Sequence, residues 1–305
     1  MPPTPSRPLP IPAAGVVRQR PRDGAAWSGS GGPTSPAALL AAVVFLVWAL
    51  PAAGQLRPLD PVDWAALDGS ARTAEVGGGL YLGQRASLAG TEGRLLEVGS
   101  FAAAWSAGRV ALRLAGTALR LFEDRSSWAG PVAGARDFDP SRRRVDSGDY
   151  RLSTLVALTR PGAEWAALVR FGVRLPTTDN GQGLERDRTD FFASLAGRTL
   201  QGPVALTAEA GIGVLGTRDP EREQVDPLLF AVGASWRTGE VRPFLALLGQ
   251  HDTRPGRDLR GVENLGEARL GVRVGGRRWV QVAALRGWTR MGPDLGVELR
   301  LGTRF

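Results

Sequence analysis

His251 is the only histidine in the chain and the side chain best suited by type to proton transfer near neutral pH; Asp252 follows it. A hydrolytic site of that kind needs a nucleophile held by the imidazole and a third group orienting the ring. Gln250-His-Asp-Thr-Arg254 lacks the Ser and Asn spacing that lipid hydrolases place around such a histidine. His251 is therefore read as a polar residue at a loop edge, and no catalysis is expected. Asp179 and Asp187 lie near Asn180 and Gly181 without the Asp-x-Asp-x-Asp-Gly spacing of a calcium loop. No metal or cofactor pattern is found. Arg142-Arg-Arg144, between Asp139 and Asp146, reads as a solvated loop or as a contact for phosphate groups.

A larger set of charges shares one alternating parity. Arg113, Arg151, Arg170, Arg174, Arg198, Arg237, Arg269, Arg273, Arg300 and Arg304 stand against Glu75, Glu164, Asp190, Glu209, Glu267, Asp294 and Glu298. Their neighbours of opposite parity are apolar. Such charges could line a water-filled lumen and set its selectivity, with a small cationic surplus biasing traffic toward anions. Arg113, Arg151, Arg170, Arg174, Glu209, Arg237, Arg269, Arg273, Glu298 and Arg300 are the candidates to line it.

The elements that position these charges are strands with period-two alternation. Trp165, Ala167, Val169, Phe171, Val173 and Leu175 alternate with Glu164, Arg170, Gly172 and Arg174. Residues 266–275 and 293–305 repeat the division. Counting such segments predicts twelve strands: 73–83, 95–105, 109–121, 148–160, 164–176, 189–199, 204–215, 227–238, 241–251, 266–275, 278–289 and 293–305. Of these, 95–105, 241–251 and 278–289 alternate less cleanly. Long linkers at 84–94, 122–147, 177–188, 216–226 and 252–265 take turns with short ones. That rhythm, with an even strand number, predicts an all-β, transmembrane, antiparallel up-and-down β-barrel. Trp105, Trp165, Trp236, Trp279 and Phe305 gather at the short-turn ends, where an interfacial belt of rings belongs. Phe305, closing the last strand, is the expected assembly signal for the barrel-assembly machinery.

The competing fold is a secreted β-sandwich. Against it, the polar parity mixes Gly, Ala and Ser with Arg and Glu rather than the Thr, Ser and charge of a soluble sheet. Ala205, Thr207, Glu209, Gly211, Gly213 and Leu215 illustrate this. Small residues between large charged ones suit a crowded lumen.

Residues 1–54 carry the address. After a stretch rich in Pro, Gly, Ser and Arg comes an uncharged run, 37–50, then Pro51-Ala-Ala-Gly54. A basic leader, a short apolar core and small residues predict a signal peptide cleaved after Gly54. Fourteen residues fall short of the roughly 20 a spanning helix needs. Residues 55–72 then form a short periplasmic N-terminal segment and 73–305 the barrel. The chain has no cysteine, and formal net charge +8. Every basic residue is Arg, with no basic run interleaved with aromatics, so nucleic acid is not expected as a partner.

Phe171-Gly-Val-Arg-Leu-Pro-Thr-Thr-Asp-Asn-Gly181, followed by Thr189-Asp-Phe-Phe192, resembles the central motif of the outer-membrane transporter family named for the meta-pathway of phenol degradation. Thr178 stands where that family usually has Gly. The resemblance covers about Arg170 to Phe305. It implies a bacterial outer-membrane barrel for passive uptake of small apolar or anionic compounds, with outer-membrane lipid and lipopolysaccharide as surroundings. The alternative is a plugged barrel acting as an anchor or interaction protein. Interlocked Arg–Glu pairs would favour the plug, and a continuous water-sized path would favour transport.

Overall fold

The computed structural model describes residues 57–67, 72–128, 142–160, 163–178, 180–218, 223–252 and 261–305. The leader with its cleavage site, Asp139 and Asp179 lie outside the described residues.

Alternation builds the strands β1 (Arg72–Ala86), β2 (Thr91–Ala107), β3 (Val110–Ser127), β4 (Arg143–Asp146), β5 (Tyr150–Ala157), β6 (Trp165–Leu175) and β7 (Asp190–Gln201). They continue as β8 (Val204–Gly216), β9 (Gln224–Val225), β10 (Leu228–Trp236), β11 (Val241–His251), β12 (Leu265–Gly275), β13 (Arg278–Gly287) and β14 (Leu295–Arg304). Twelve of them form a closed antiparallel barrel, each paired with its chain neighbours. β14 closes on β1, from Thr73↔Arg304 to Leu82↔Leu295. β8 pairs β10 directly, from Val204↔Trp236 to Leu228↔Ile212. The short β4 and β9 extend β3 and β8 at the long-loop end. Closure leaves none of the twelve barrel strands at an open edge, as a backbone in lipid requires.

The two faces differ as the alternation predicts. Leu270 is 64% exposed on the outer wall, whereas its neighbour Arg269 is 5% exposed inside. Val76, Leu152, Phe171, Phe191, Leu195, Ile212 and Leu299 continue the apolar outer wall. Aromatic rings fill the space above cross-strand glycines. Phe192 lies over Gly172, Phe244 over Gly271, Tyr81 over Gly296 and Trp279 over Gly302. A Cβ on Gly302 would fall 2.1 Å from the Trp279 ring. Each pairing covers a bare backbone and pins the register.

Two expectations are corrected. The linker 84–94 is a four-residue turn, because β1 and β2 run on to Ala86 and from Thr91, joined by Arg85–Glu92 at 3.0 Å. Beyond the membrane the outer face no longer needs apolar residues, so the alternation fades before the pairing does. Gly83 (φ 63) and Gly99 (φ 68) adopt left-handed backbone, and the inward parity switches across each. That switch is why 95–105 alternates poorly. Finally, Trp279 shares the inward parity of Gln281 and packs inside on Gly302. Trp105, Trp165, Trp236 and Phe305 are more than half exposed at the short-turn end.

Candidate functional site: an ion-paired lumen and the segment within it

Residues 57–67 are not part of the barrel wall; they lie inside it. Arg57-Pro-Leu-Asp-Pro-Val-Asp63 has two prolines and forms no strand, and Asp63 caps a 3-10 turn, Trp64–Leu67, by accepting from the Ala65 amide at 3.1 Å. Leu67 packs with Ala111, Leu155, Leu168 and Ala196 on the inner wall. The Arg198 guanidinium sits 5.1 Å from the centre of the Trp64 ring.

The charged residues of the segment make the densest contacts. The Arg57 guanidinium is surrounded by Glu97 at 3.5 Å, Glu267 at 3.4 Å, Glu298 and the Tyr81 hydroxyl. Tyr81 in turn donates toward Glu97 and Glu298, each at 3.0 Å. Three residues on, Asp60 Oδ1 accepts from Arg269 at 2.8 Å and Arg300 at 3.3 Å. The Asp60 carbonyl accepts from Arg170 at 2.8 Å, and the Arg57 carbonyl from Arg151 at 3.3 Å. Burial alone would raise the Asp60 carboxyl; Arg300 and Arg269 override it and hold it well below the usual carboxylate range. Burial would likewise lower the Arg57 guanidinium, and Glu298 above all keeps it charged.

The wall is itself interlocked. Glu97 pairs with Arg120 at 2.9 Å, Glu267 with Arg269 at 2.9 Å and Glu298 with Arg300 at 3.2 Å. Arg113 reaches Glu75 at 3.2 Å, and Arg300 reaches the same carboxylate at 3.5 Å. Arg170 pairs with Glu209 at 2.5 Å, and the Ser194 hydroxyl donates to Glu209 at 2.6 Å. Toward the long loops, Arg174 meets Asp190 at 2.6 Å and both Asp149 and Glu185 at 3.4 Å. Glu185 also takes Arg120, at 2.5 Å. Two cavities of about 60 and about 40 Å³ remain beside the segment. Each has room for a few waters.

Nine of the ten sequence candidates thus lie on the inner wall. Arg273 stacks on Trp279 at 4.0 Å from the ring centre and donates to Gln281 at 3.0 Å. Arg237 departs from expectation: β10 ends at Trp236, leaving Arg237 exposed in the following turn. Glu164 and Asp294 are also exposed, at strand ends. Arg144 is not solvated but buried, pairing with Asp124 at 3.2 Å and donating to the Gln182 carbonyl at 2.9 Å. His251 ends β11 with its side chain exposed. Sequence reasoning missed Arg57, Asp60, Tyr81, Glu97, Asp149 and Glu185. Glu185 sits in a loop without periodicity, Asp149 lies just ahead of β5 although the sequence segment 148–160 includes it, and Glu97 precedes the parity switch at Gly99. The signal that could have found the segment is a charged pair, Arg57 and Asp60, held in a proline-stiffened stretch ahead of the first strand.

A closed barrel with an apolar outer wall and an ionised interior is a transmembrane β-barrel of the outer-membrane type. The chain is similar to an outer-membrane channel from Pseudomonas putida F1, with TM-score 0.57 and 14% identity, over 81% of this chain and 100% of that one. It is also similar to the transport unit of the autotransporter AIDA-I from Escherichia coli (TM-score 0.42, 12% identity, 76% of this chain and 89% of that one). A third likeness is to the outer-membrane channel DcaP of Acinetobacter baumannii (TM-score 0.39, 12% identity, 82% and 100%). No family model matches the sequence, and no curated protein is similar to it in sequence. The P. putida likeness shows the fold, which is the barrel that the phenol-pathway resemblance implies.

Proposed function

We propose that this barrel is a passive outer-membrane channel for small molecules, closed at rest by its own residues 57–67. The observation that carries the reading is how the segment is held. It adds no strand to the sheet, and its charged anchors are ion pairs at Arg57 and Asp60 with wall residues that keep other partners. A closure of this kind can be exchanged for a competing solute without unfolding the wall. Liposome swelling tests the proposal. Vesicles carrying the purified protein should swell in isotonic solutions of small solutes, and faster with Arg57→Ala/Asp60→Ala than with wild type. Swelling no faster than empty liposomes for either protein would refute it.

The second reading is a permanently plugged barrel serving as an anchor. The interlocked pairs around Arg174, together with Leu67 seated in its apolar pocket, favour that reading. Absence of swelling with the double variant would support it.

A further inference from the structure

We propose that the place now held by Arg57 and Asp60 is a binding site for a zwitterion carrying a guanidinium or ammonium group and a carboxylate: an amino acid or a short peptide. The inference rests on the reading of the segment as a displaceable closure.

The charge balance of the wall leads to this class. Glu97, Glu267 and Glu298 each keep one wall guanidinium, those of Arg120, Arg269 and Arg300. Three acids and three bases cancel. At this place the segment adds one cation, Arg57, and one anion, Asp60, to these six balanced wall charges, while Asp63 lies three residues on and caps the 3-10 turn. A solute that replaces the pair at equal electrostatic cost must also be neutral overall and carry both charges. A lone anion would satisfy Arg269 and Arg300 while leaving the acidic trio without its fourth cation, and a lone cation would do the reverse.

Geometry narrows the class further. Three carboxylates converge on one planar guanidinium, addressing Nε, Nη1 and Nη2 separately. Three separate acceptors in reach of three coplanar nitrogens suit a guanidinium better than the compact point charge of an ammonium. The anion half is contiguous with it. Arg269 touches Asp60 with Nη1 and Glu267 with Nη2, and Arg300 Nη2 touches both Asp60 and Glu298. The two charges of the ligand must therefore sit as close as side chains three residues apart. Tyr81, over its glycine, adds a hydroxyl against the cation.

The test uses the full chain in detergent and titration calorimetry with acetyl-Arg-Pro-Leu-Asp-amide, whose only charges are the two side chains. The Arg57→Ala/Asp60→Ala protein, with its site vacated, should bind this peptide at least about tenfold more tightly than wild type, whose own segment competes. Acetyl-Ala-Pro-Leu-Ala-amide should not bind. Equal binding of both peptides, or no binding to a double variant that retains heat-modifiable mobility, overturns the site. Should that variant fail to fold, Arg57→Gln/Asp60→Asn, which removes both charges and keeps the side-chain bulk, replaces it with the same expectations. Peptide binding without solute flux would retain the site and reject the channel; flux without peptide binding would do the opposite.

Discussion

Asp60 and Arg269 stand 209 positions apart in the chain, yet the Asp60 carboxylate accepts a hydrogen bond from Arg269 Nη1 at 2.8 Å. The contact joins the segment before the first strand to the inner face of β12. Asp60→Asn keeps the shape and removes the charge. It should weaken segment docking by about 1.5–3 kcal/mol, the range for hydrogen bonds to charged groups. Limited proteolysis should then cut within residues 57–67 more readily, while the mobility of the folded barrel on gels stays unchanged.

Val173 and Arg174 are adjacent but face opposite sides of the wall. Val173→Arg places a charge toward lipid and should cost about 2–4 kcal/mol near the midplane. From the sequence, Arg174→Val is expected to be milder unless it strands a paired acid. Arg174 holds Asp190, Asp149 and Glu185; Asp190 keeps Arg186 and Glu185 keeps Arg120, so the loss of Arg174 removes the guanidinium from Asp149. That substitution should cost about 3–5 kcal/mol. Urea unfolding in lipid vesicles measures both; two harmless changes would contradict the assignment of faces.

The barrel was legible because lipid imposes a strict rule on each strand, and each of the twelve segments in the sequence falls on one of the twelve barrel strands, though β1, β2 and β3 run longer. Pairing among the charges was only half legible. Parity puts Arg170 and Glu209 on the same side, but nothing in the sequence says that Asp60 reaches Arg269 and Arg300. Such contacts depend on where an aperiodic segment threads. The positions of Arg237 and Trp279 show the other limit, since parity counted from one strand fails where the strand ends or where ring and glycine pair inside.

Glu263 is buried beside the turn at Ser87, where the Gly261 amide donates to the Ser87 hydroxyl at 3.0 Å. Burial pushes its carboxyl up to about 7, against the lowering effect of Ser87 and Gly261. A folded pKa above the unfolded value of about 4.3 means the acid is neutral in the folded state, so its contribution is complete below that value and is lost as pH rises through 7. Proteolysis near residues 261–264 should increase from about pH 5 to about pH 8. Glu263→Gln should abolish that dependence; an unchanged profile would contradict the burial argument.

Phe305 follows the last strand with its ring exposed and its amide donating to the Arg72 carbonyl at 2.8 Å, across the β1–β14 seam. Its deletion should reduce the amount of folded, membrane-inserted protein without stopping export. Cell fractionation with heat-modifiable mobility checks this.

Planar-bilayer conductance of the purified full chain tests the central claim, that Arg57 and Asp60 hold the lumen shut. Wild type should show a low conductance with infrequent openings, because the segment and its ion pairs occupy the lumen between the walls. Arg57→Ala/Asp60→Ala should raise the mean conductance several-fold. Identical conductance from the two proteins, with both folded and inserted, would contradict it.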